Sequence, residues 1–322
     1  MTNSPQQAVK TSRSALVAAA VTVLLWASAF VAIRAAAPYF SPGALALGRL
    51  LVGALCLLAF LIARREGLPA RAAWPGIVIS GVLWFGLYMI ALNWGERLVD
   101  AGTAAMVVNI GPIVMALLGG WLLKEGFPPR LMAGLLVSAV GAVVVGLSMS
   151  GDAQSSLPGV LLCLVAALAY AAGVVGQKPA LRHASALQVT TFGCVIGTIA
   201  CLPFAGQLVS EVQAAPVSMV LWVVYLGAFP TALAFTTWAY ALARSTAGKM
   251  GATTYAVPAI VVLLSWIFLN EVPGWLTAVG GVLCLAGVAV TRSKSQKTAD
   301  AGASTEPSES PWGEPAPQGA DR

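Results

Sequence analysis

Long apolar stretches alternate with short charged segments, from about residue 15 to about residue 290 of the chain. Most stretches run for about 17 to 25 residues, the length that an α-helix needs to cross a hydrocarbon core about 30 Å thick. Lipid offers no hydrogen-bond partners to backbone amides, so each stretch is expected to be helical. The pattern predicts ten spans: Ala15 to Ile33, Ala44 to Ala63, Trp74 to Leu92, Ala101 to Leu123, Leu131 to Met149, Leu157 to Val175, Leu187 to Ala205, Val217 to Ala243, Met250 to Leu269 and Trp275 to Val290.

The positive charges are unevenly divided between the segments that connect these spans. Of the 18 Lys and Arg residues, 15 lie in the two terminal segments and in every second connection. Arg34 and Arg97 lie in the other connections, and Arg49 lies inside the second span. Cytoplasmic loops carry the excess of Lys and Arg in membrane proteins. Both termini are therefore predicted to be cytoplasmic, in a multi-pass protein of the cell (inner or plasma) membrane.

Composition excludes some classes of protein. Apolar residues make up 58% of the chain and charged residues only 9%, against about 25% charged residues in ordinary soluble domains. A chain this apolar has too few polar residues to form a hydrated surface, which argues against a water-soluble enzyme. The net charge of +6 comes from loop residues and forms no basic stripe, so the lipid bilayer, and no nucleic acid, is the expected partner.

Motifs for catalysis or for cofactor binding are missing from the sequence. It contains one histidine, His183, and no HExxH, GxSxG or Walker A pattern. All five cysteines lie inside predicted spans, without the spacing of metal ligands or of a disulfide framework. We therefore expect no cofactor, no metal and no enzymatic activity. A membrane-embedded enzyme and a receptor or scaffold are the alternatives from other classes.

The two halves of the chain resemble each other. A shift of 146 residues aligns Pro112 with Pro258 and Glu125 with Glu271, so the spacing of 13 residues between proline and glutamate occurs in both halves. A shift of 144 residues aligns the earlier parts. Further aligned pairs are Gly134 with Gly280, Gly141 with Gly287, Gly53 with Gly197 and Trp26 with Tyr170.

This internal similarity predicts two five-helix repeats, residues 14–150 and 151–292. They lie between a cytoplasmic N-terminal segment, residues 1–13, and a disordered cytoplasmic tail, residues 293–322, that is rich in Ser, Pro, Gly, Ala and Glu. Five is an odd number of crossings, so the second repeat has the opposite orientation in the membrane. Inverted repeats are typical of transporters, in which two halves rock about a midplane site and expose it alternately to each side.

Three stretches also resemble a known family. Residues 26–34 (WASAFVAIR) are similar to the first-helix signature of the EamA group of the drug/metabolite transporter superfamily, and residues 48–51 (GRLL) to its second-helix arginine motif. Residues 101–105 (AGTAA), with Pro112, Lys124-Glu125 and Gly134 after them, are similar to its fourth and fifth helices. The resemblance covers about residues 14 to 291. It implies a ten-helix, two-repeat carrier with a central cavity, in a family that includes YddG-like exporters of amino acids and other small metabolites.

Proline-interrupted spans in corresponding positions are the best indication of where such a carrier binds its substrate. Here they are Asn109-Ile110-Gly111-Pro112 and Tyr255-Ala256-Val257-Pro258. Proline lacks an amide donor and clashes with the carbonyl four residues earlier, so carbonyls near these positions could face a ligand. Asn109 and Tyr255 occupy equivalent positions one turn before the prolines. A kink that serves packing alone is the alternative.

Aromatic side chains near the middle of several spans are the second indication. Trp84 and Tyr88 are four residues apart, hence on one face of the third span. Thr231, Phe235 and Trp238 likewise share a face of the eighth. Trp26 and Tyr170 are equivalent positions of the first and sixth spans. We predict that these residues contact substrate, with Ser28 as an additional hydrogen-bond donor; packing between helices is the alternative.

The charged residues near or inside the spans have distinct predicted roles. Arg49 either extends to the membrane interface or attracts a substrate carboxylate at the mouth of the cavity. Glu125 and Glu271, each at the end of a span, are predicted to be helix-end or gate residues. No Asp or Glu lies mid-span, so the proton relay that usually marks antiport is missing. We expect export of small metabolites that is either facilitated, down a gradient, or coupled through a less obvious group. The family resemblance favours amino acids over other metabolites or amphipathic drugs, and the oligomeric state stays open.

Overall fold

The computed structural model describes residues 13–99, 107–149, 156–260, 263 and 274–292. In these ranges the helices are joined by turns and loops, and there are no strands. The helices are α1 (Arg13–Ala36), α2 (Pro42–Ala63), α3 (Trp74–Ser80), α4 (Tyr88–Leu98), α5 (Gly111–Leu122), α6 (Pro129–Met149), α7 (Leu157–Ala180), α8 (Ala186–Cys201), α9 (Ala205–Ala214), α10 (Val217–Leu226), α11 (Ala234–Leu242), α12 (Ala247–Thr254) and α13 (Trp275–Arg292). The predicted terminal segments lie outside the described residues, except for Arg13.

Many of the predicted membrane-spanning segments are present as long apolar helices. Six helical stretches of the described residues are long and apolar enough to cross a membrane: Pro42–Ala63, Arg71–Gly95, Pro129–Ser148, Leu157–Ala180, Ala186–Ala214 and Val217–Leu242. Arg13–Ala29, Gly111–Leu122 and Trp275–Thr291 are shorter apolar helices. The chain is thus a multi-pass, all-α membrane protein over the part that the structure describes.

Two of the stretches contain a wider turn that the hydrophobic pattern did not predict. A π-helical segment, Gly81–Leu87, joins α3 to α4, and another, Gly227–Leu233, joins α10 to α11. The two segments are 146 residues apart at both ends. A π-turn misaligns the backbone ladder locally and is frequent at functional sites. Each segment begins at a glycine because the neighbouring helix is too close for a side chain: a Cβ atom on Gly227 would lie 2.7 Å from the carbonyl oxygen of Arg49.

Local signals explain where the helices begin. Proline occupies the first turn of α2 and of α7, where its missing N–H costs nothing. Ser185 begins α8 with a capping box, since its hydroxyl accepts from the Gln188 amide at 3.0 Å and the Gln188 side chain accepts from the Ser185 amide at 3.0 Å. The Gln188 side chain also donates to the carbonyl of Gly67 at 2.9 Å. This contact ties the α7–α8 turn to the α2–α3 connection.

Helices from the two halves of the chain are intermixed. α6 packs on α13, α2 on α8, and α5 on α12, while α1 packs on α10 and α11, and α7 packs on α3 and α4. The main buried core, which includes Trp84, Tyr170 and Trp238, lies where these helices meet.

Three of the helix contacts join residues separated by the repeat shifts. Ser138 of α6 donates its hydroxyl to the carbonyl of Cys284 of α13 at 3.0 Å, and these residues are 146 apart. The Tyr255 hydroxyl donates to the carbonyl of Asn109 at 2.7 Å, again across 146 residues. The Cys194 thiol lies 3.4 Å from the carbonyl of Leu50, across 144 residues. Positions that the sequence aligns are thus in direct contact.

Candidate functional site

A cluster of seven aromatic side chains, here called the ring cluster, fills the centre of the main core. Its members are Trp26, Trp84, Phe85, Tyr88, Tyr170, Phe235 and Trp238. Trp84, in the first π-segment, is its hub. The centroid of the Trp84 ring lies 6.1 Å from Trp26, 5.8 Å from Tyr170, 4.6 Å from Phe235 and 5.7 Å from Trp238.

The ring cluster joins five of the predicted site residues from four separate stretches of the chain. Trp26 comes from α1, Trp84 and Tyr88 from the third predicted span, Tyr170 from α7 and Trp238 from α11. None of the seven side chains is charged at neutral pH. The cluster therefore offers apolar surface and aromatic faces, which suit an apolar side chain and, by cation–π attraction, an ammonium group.

The indole N–H groups of the ring cluster differ in their hydrogen bonding. The Trp26 indole donates to the carbonyl of Pro230 at 3.2 Å, within the second π-segment. The Trp238 indole nitrogen is buried and has no hydrogen-bond partner in the described part of the chain. Trp84 and Trp238 are buried almost completely, whereas Trp26 and Tyr88 retain partial exposure.

Phe85 and Phe235 also belong to the cluster; Phe235 was expected on the helix face of Trp238, whereas Phe85 was not predicted. Their ring centroids are 4.6 Å apart, and both side chains are buried. Phe235 had a usable signal, because it lies three residues before Trp238 and hence on the same helix face. Phe85 had none, since the π-segment that contains it was not predicted.

Ser28 lies apart from the ring cluster. Its hydroxyl donates to the carbonyl of Leu25 at 2.8 Å and lies 2.7 Å from the Tyr225 hydroxyl of α10. Residues two apart on a helix point about 200° apart, so Ser28 and Trp26 cannot share a face.

Arg49 is buried, with 6% of its surface exposed. Its Nε donates to the Thr231 hydroxyl at 3.2 Å, and that hydroxyl donates in turn to the carbonyl of Leu226 at 2.8 Å. The guanidinium thus contacts the second π-segment, four residues before Phe235 of the ring cluster. Guanidinium groups carry five N–H donors in a planar fork that suits carboxylates.

Both predicted breaks are present in the described helices. The chain leaves helical geometry at Asn109-Ile110 before α5 and turns at Tyr255 after α12. Pro112 lies in the first turn of α5, and Pro258 lies in the helical residues 256–260. The first break lies against the ring cluster, because a Cβ atom on Gly111 would meet the Tyr170 ring at 2.7 Å.

Glu125 connects three elements at one end of the molecule. It follows α5, and its carboxylate forms an ion pair with Lys178 of α7. The other carboxylate oxygen accepts from the backbone amide of Ala247, the first residue of α12, at 2.8 Å. Lys178 also donates to the carbonyl of Ser245. The equivalent Glu271 lies outside the described residues.

No group of three or more His, Cys, Asp or Glu side chains in the described ranges is arranged to hold a metal ion. The candidate site consists of the ring cluster, the adjoining Arg49 and helix breaks, and the ion pair of Glu125 with Lys178.

The model of the EamA-like transporter family matches residues 13–147 and again residues 157–293. The chain belongs to the EamA-like transporter family. This EamA protein is accordingly a transporter of the drug/metabolite transporter superfamily, and not an enzyme, and it works on a small molecule in a lipid environment.

Relatives of this EamA protein carry transporter names. It is 35% identical to "Uncharacterized transporter YdfC" of Bacillus subtilis, over 85% of this chain and 89% of the relative. It is 34% identical to "Probable terminal-alkyne amino-acid exporter" of Streptantibioticus cattleyicolor, over 83% of this chain and 90% of the relative. One solved crystal structure matches with a TM-score of 0.73 at 24% identity and covers 88% of this chain and 98% of the other, which shows a shared fold.

Proposed function

We propose that this protein exports amino acids from the cytoplasm across the cell membrane, by alternating access of one central site. The observation that carries this proposal is the ring cluster, to which both halves of the chain contribute. Trp26 and Trp84 come from the first half, and Tyr170, Phe235 and Trp238 from the second. A site built at the boundary of two halves opens to either side when the halves move relative to each other.

The architecture that we propose consists of ten spans in two five-helix repeats of opposite orientation, residues 14–150 and 151–292. The two separate matches to the family model support it. The contacts of Ser138 with Cys284 and of Asn109 with Tyr255 also support it, because a twofold relation brings equivalent surfaces face to face. The two π-segments at equivalent positions are a third, independent support.

Amino acids are the substrate class that fits the site best. The aromatic faces would bind an apolar side chain and the ammonium group, and Arg49, beside the cluster, supplies the cation for the carboxylate. The relative named as an amino-acid exporter supports the same class. We propose transport down a gradient, without a coupled proton, and the lack of mid-span Asp and Glu residues in the sequence supports this.

We further propose that both termini are cytoplasmic and that the ion pair of Glu125 with Lys178 is a gate at the cytoplasmic end. The loops after α5, α7 and α11 carry Lys124, Arg182 and Arg244, and the first turns of α6 and α12 carry Arg130 and Lys249. These positive charges support the cytoplasmic side for the pair. When the pair is formed, it holds α7 and the start of α12 together and narrows the approach to the ring cluster.

Efflux from proteoliposomes that contain the purified full chain tests the proposal. The vesicles are loaded with a panel of labelled amino acids that includes L-phenylalanine. Vesicles with the same load but without the protein serve as the control. We expect release above the control that does not change when a pH gradient is imposed. Release of a drug or another metabolite, with no amino acid released, would overturn the substrate class, and uphill transport driven by the pH gradient would overturn facilitated export.

A further inference from the structure

Gln177 of α7 has a fully buried side-chain amide and is not part of the site described above. Its exposed surface is 0%. Neither its side-chain nitrogen nor its side-chain oxygen has a hydrogen-bond partner among the described residues. A buried amide without partners destabilises a protein, because both groups have lost their hydrogen bonds to water. The unpaired amide lowers the stability of the protein without ligand, and a polar ligand bound beside it would supply the missing hydrogen bonds.

The position of Gln177 on its helix directs it along the face that carries Tyr170. Seven residues of α-helix rotate by about 700°, about 20° short of two full turns, and advance by about 10 Å. Tyr170 itself packs on Trp84 and Tyr88 at 5.8 and 5.7 Å. The following residue, Lys178, pairs with Glu125. Gln177 therefore lies between the ring cluster and the proposed cytoplasmic gate.

Unpartnered buried polar atoms are concentrated in this region of the molecule. In the described ranges they include both polar atoms of the Gln177 amide and the indole nitrogen of Trp238. Trp238 is a member of the ring cluster and contacts Trp84. Buried hydroxyls elsewhere are paired, as in Thr191, which donates to the carbonyl of Leu187 at 2.7 Å, and Thr198, which donates to Cys194 at 2.8 Å.

We propose that Gln177 recognises the polar end of a zwitterionic amino acid as it enters from the cytoplasmic side. The amide oxygen accepts a hydrogen bond from the substrate ammonium, and the amide N–H groups donate to its carboxylate. The inference rests on the proposed function and adds to it a residue that determines specificity. The equivalent position of the first half is Ile33, so this polar group is present on one side of the ring cluster only.

The substitution Gln177→Leu, in the full chain, separates binding from structure. It removes the amide and keeps the approximate volume. In proteoliposomes we expect KM for L-phenylalanine, or for whichever panel amino acid leaves fastest, to rise about tenfold or more, as expected when a hydrogen bond to a charged group is lost. The melting temperature of the purified variant should equal or exceed that of the unchanged protein, because an unsatisfied amide has been removed.

Thr191→Val is the matched control, because Thr191 is equally buried but its hydroxyl is paired within its own helix. We expect this variant to keep KM. Gln177→Met, unbranched and apolar, serves as a second test if the leucine variant expresses poorly.

An unchanged KM in Gln177→Leu, or a lowered melting temperature in both the Leu and Met variants, would overturn the role of Gln177. The proposed function would survive that result as long as the unchanged protein exports amino acids. Failure of the unchanged protein to release any amino acid would instead overturn the proposed function.

Discussion

At the scale of single residues, the ring cluster combines uncharged side chains with a buried guanidinium beside it. Arg49 donates from its Nε to the Thr231 hydroxyl of the opposite half, and a guanidinium carries five N–H donors in a planar fork that suits carboxylates. Its equivalent in the second half is Gly193, so the twofold relation between the halves does not require an arginine here. We propose that the remaining donors of the Arg49 fork bind the carboxylate of the substrate.

Arg49→Gln tests this proposal. The amide can still donate to Thr231, so we expect normal membrane insertion and a melting temperature within a few degrees of the unchanged protein. Amino-acid efflux should fall at least tenfold, because a charge-assisted hydrogen bond to the carboxylate is lost. Thr231→Val, which removes the hydroxyl and retains the cation, is the control for simple loss of packing. Unchanged efflux by a correctly inserted Arg49→Gln protein would rule out the role of Arg49.

Single residues were predictable from the sequence where helix geometry alone decides their position. Trp84 and Tyr88 lie on one face by their spacing, and both are in the ring cluster, as are Trp26 and Tyr170. Ser28 was grouped with Trp26 because it is near in sequence, although two helical positions point to different sides. Gln177 was not predicted, since an amide near a helix end in the sequence resembles an ordinary polar residue until its burial is known.

At the scale of elements, apolar length predicted the six long helical stretches of the described residues, because a helix must reach a minimum length to cross the hydrocarbon core. The π-segments were not predictable in the same way. Pro230 lies inside the second segment, but Gly81–Leu87 contains no proline and only its glycines differ from an ordinary span. The connection made by Glu125 was also only partly predicted: its place at a helix end was expected, but Lys178 is 53 residues away in the chain and becomes a neighbour only by folding.

Glu125→Gln and Lys178→Gln test the connection between α7 and α12. Both side chains are mostly buried, with 11% and 15% exposed, so loss of either charge should lower stability by about 1 to 3 kcal/mol, between the values for surface and buried pairs. The double variant should be less destabilised than the sum of the singles, because neither charge is then left alone. Thermal unfolding of the four proteins gives the coupling energy. Strict additivity would show that the ion pair contributes nothing.

At the scale of the whole molecule, the proposed inverted repeats make a prediction about sidedness. Leu98, at the end of α4, and Arg244, after α11, are 146 residues apart, and both are exposed. Opposite orientation of the halves puts equivalent positions on opposite sides of the membrane. These positions are thus a matched pair for a topology experiment.

Leu98→Cys and Arg244→Cys, each in a background with the exposed Cys56 replaced by Ser, should label from opposite sides with a membrane-impermeant maleimide. In intact cells we expect the first variant to react and the second to react only after permeabilisation. The Cys56→Ser background alone measures unspecific labelling. Reaction of both variants from the same side would contradict the inverted arrangement.

Contacts between residues at equivalent positions of the two repeats bear on the transport cycle. If the inward-open and outward-open conformations arise when the two repeats exchange their shapes, the distance between any residue and its own equivalent is the same in both conformations. The Ser138–Cys284, Asn109–Tyr255 and Leu50–Cys194 pairs then form a set of fixed points through the transport cycle. Spin labels beside them should report one constant distance, while labels on α7 and α12 near Glu125 report two.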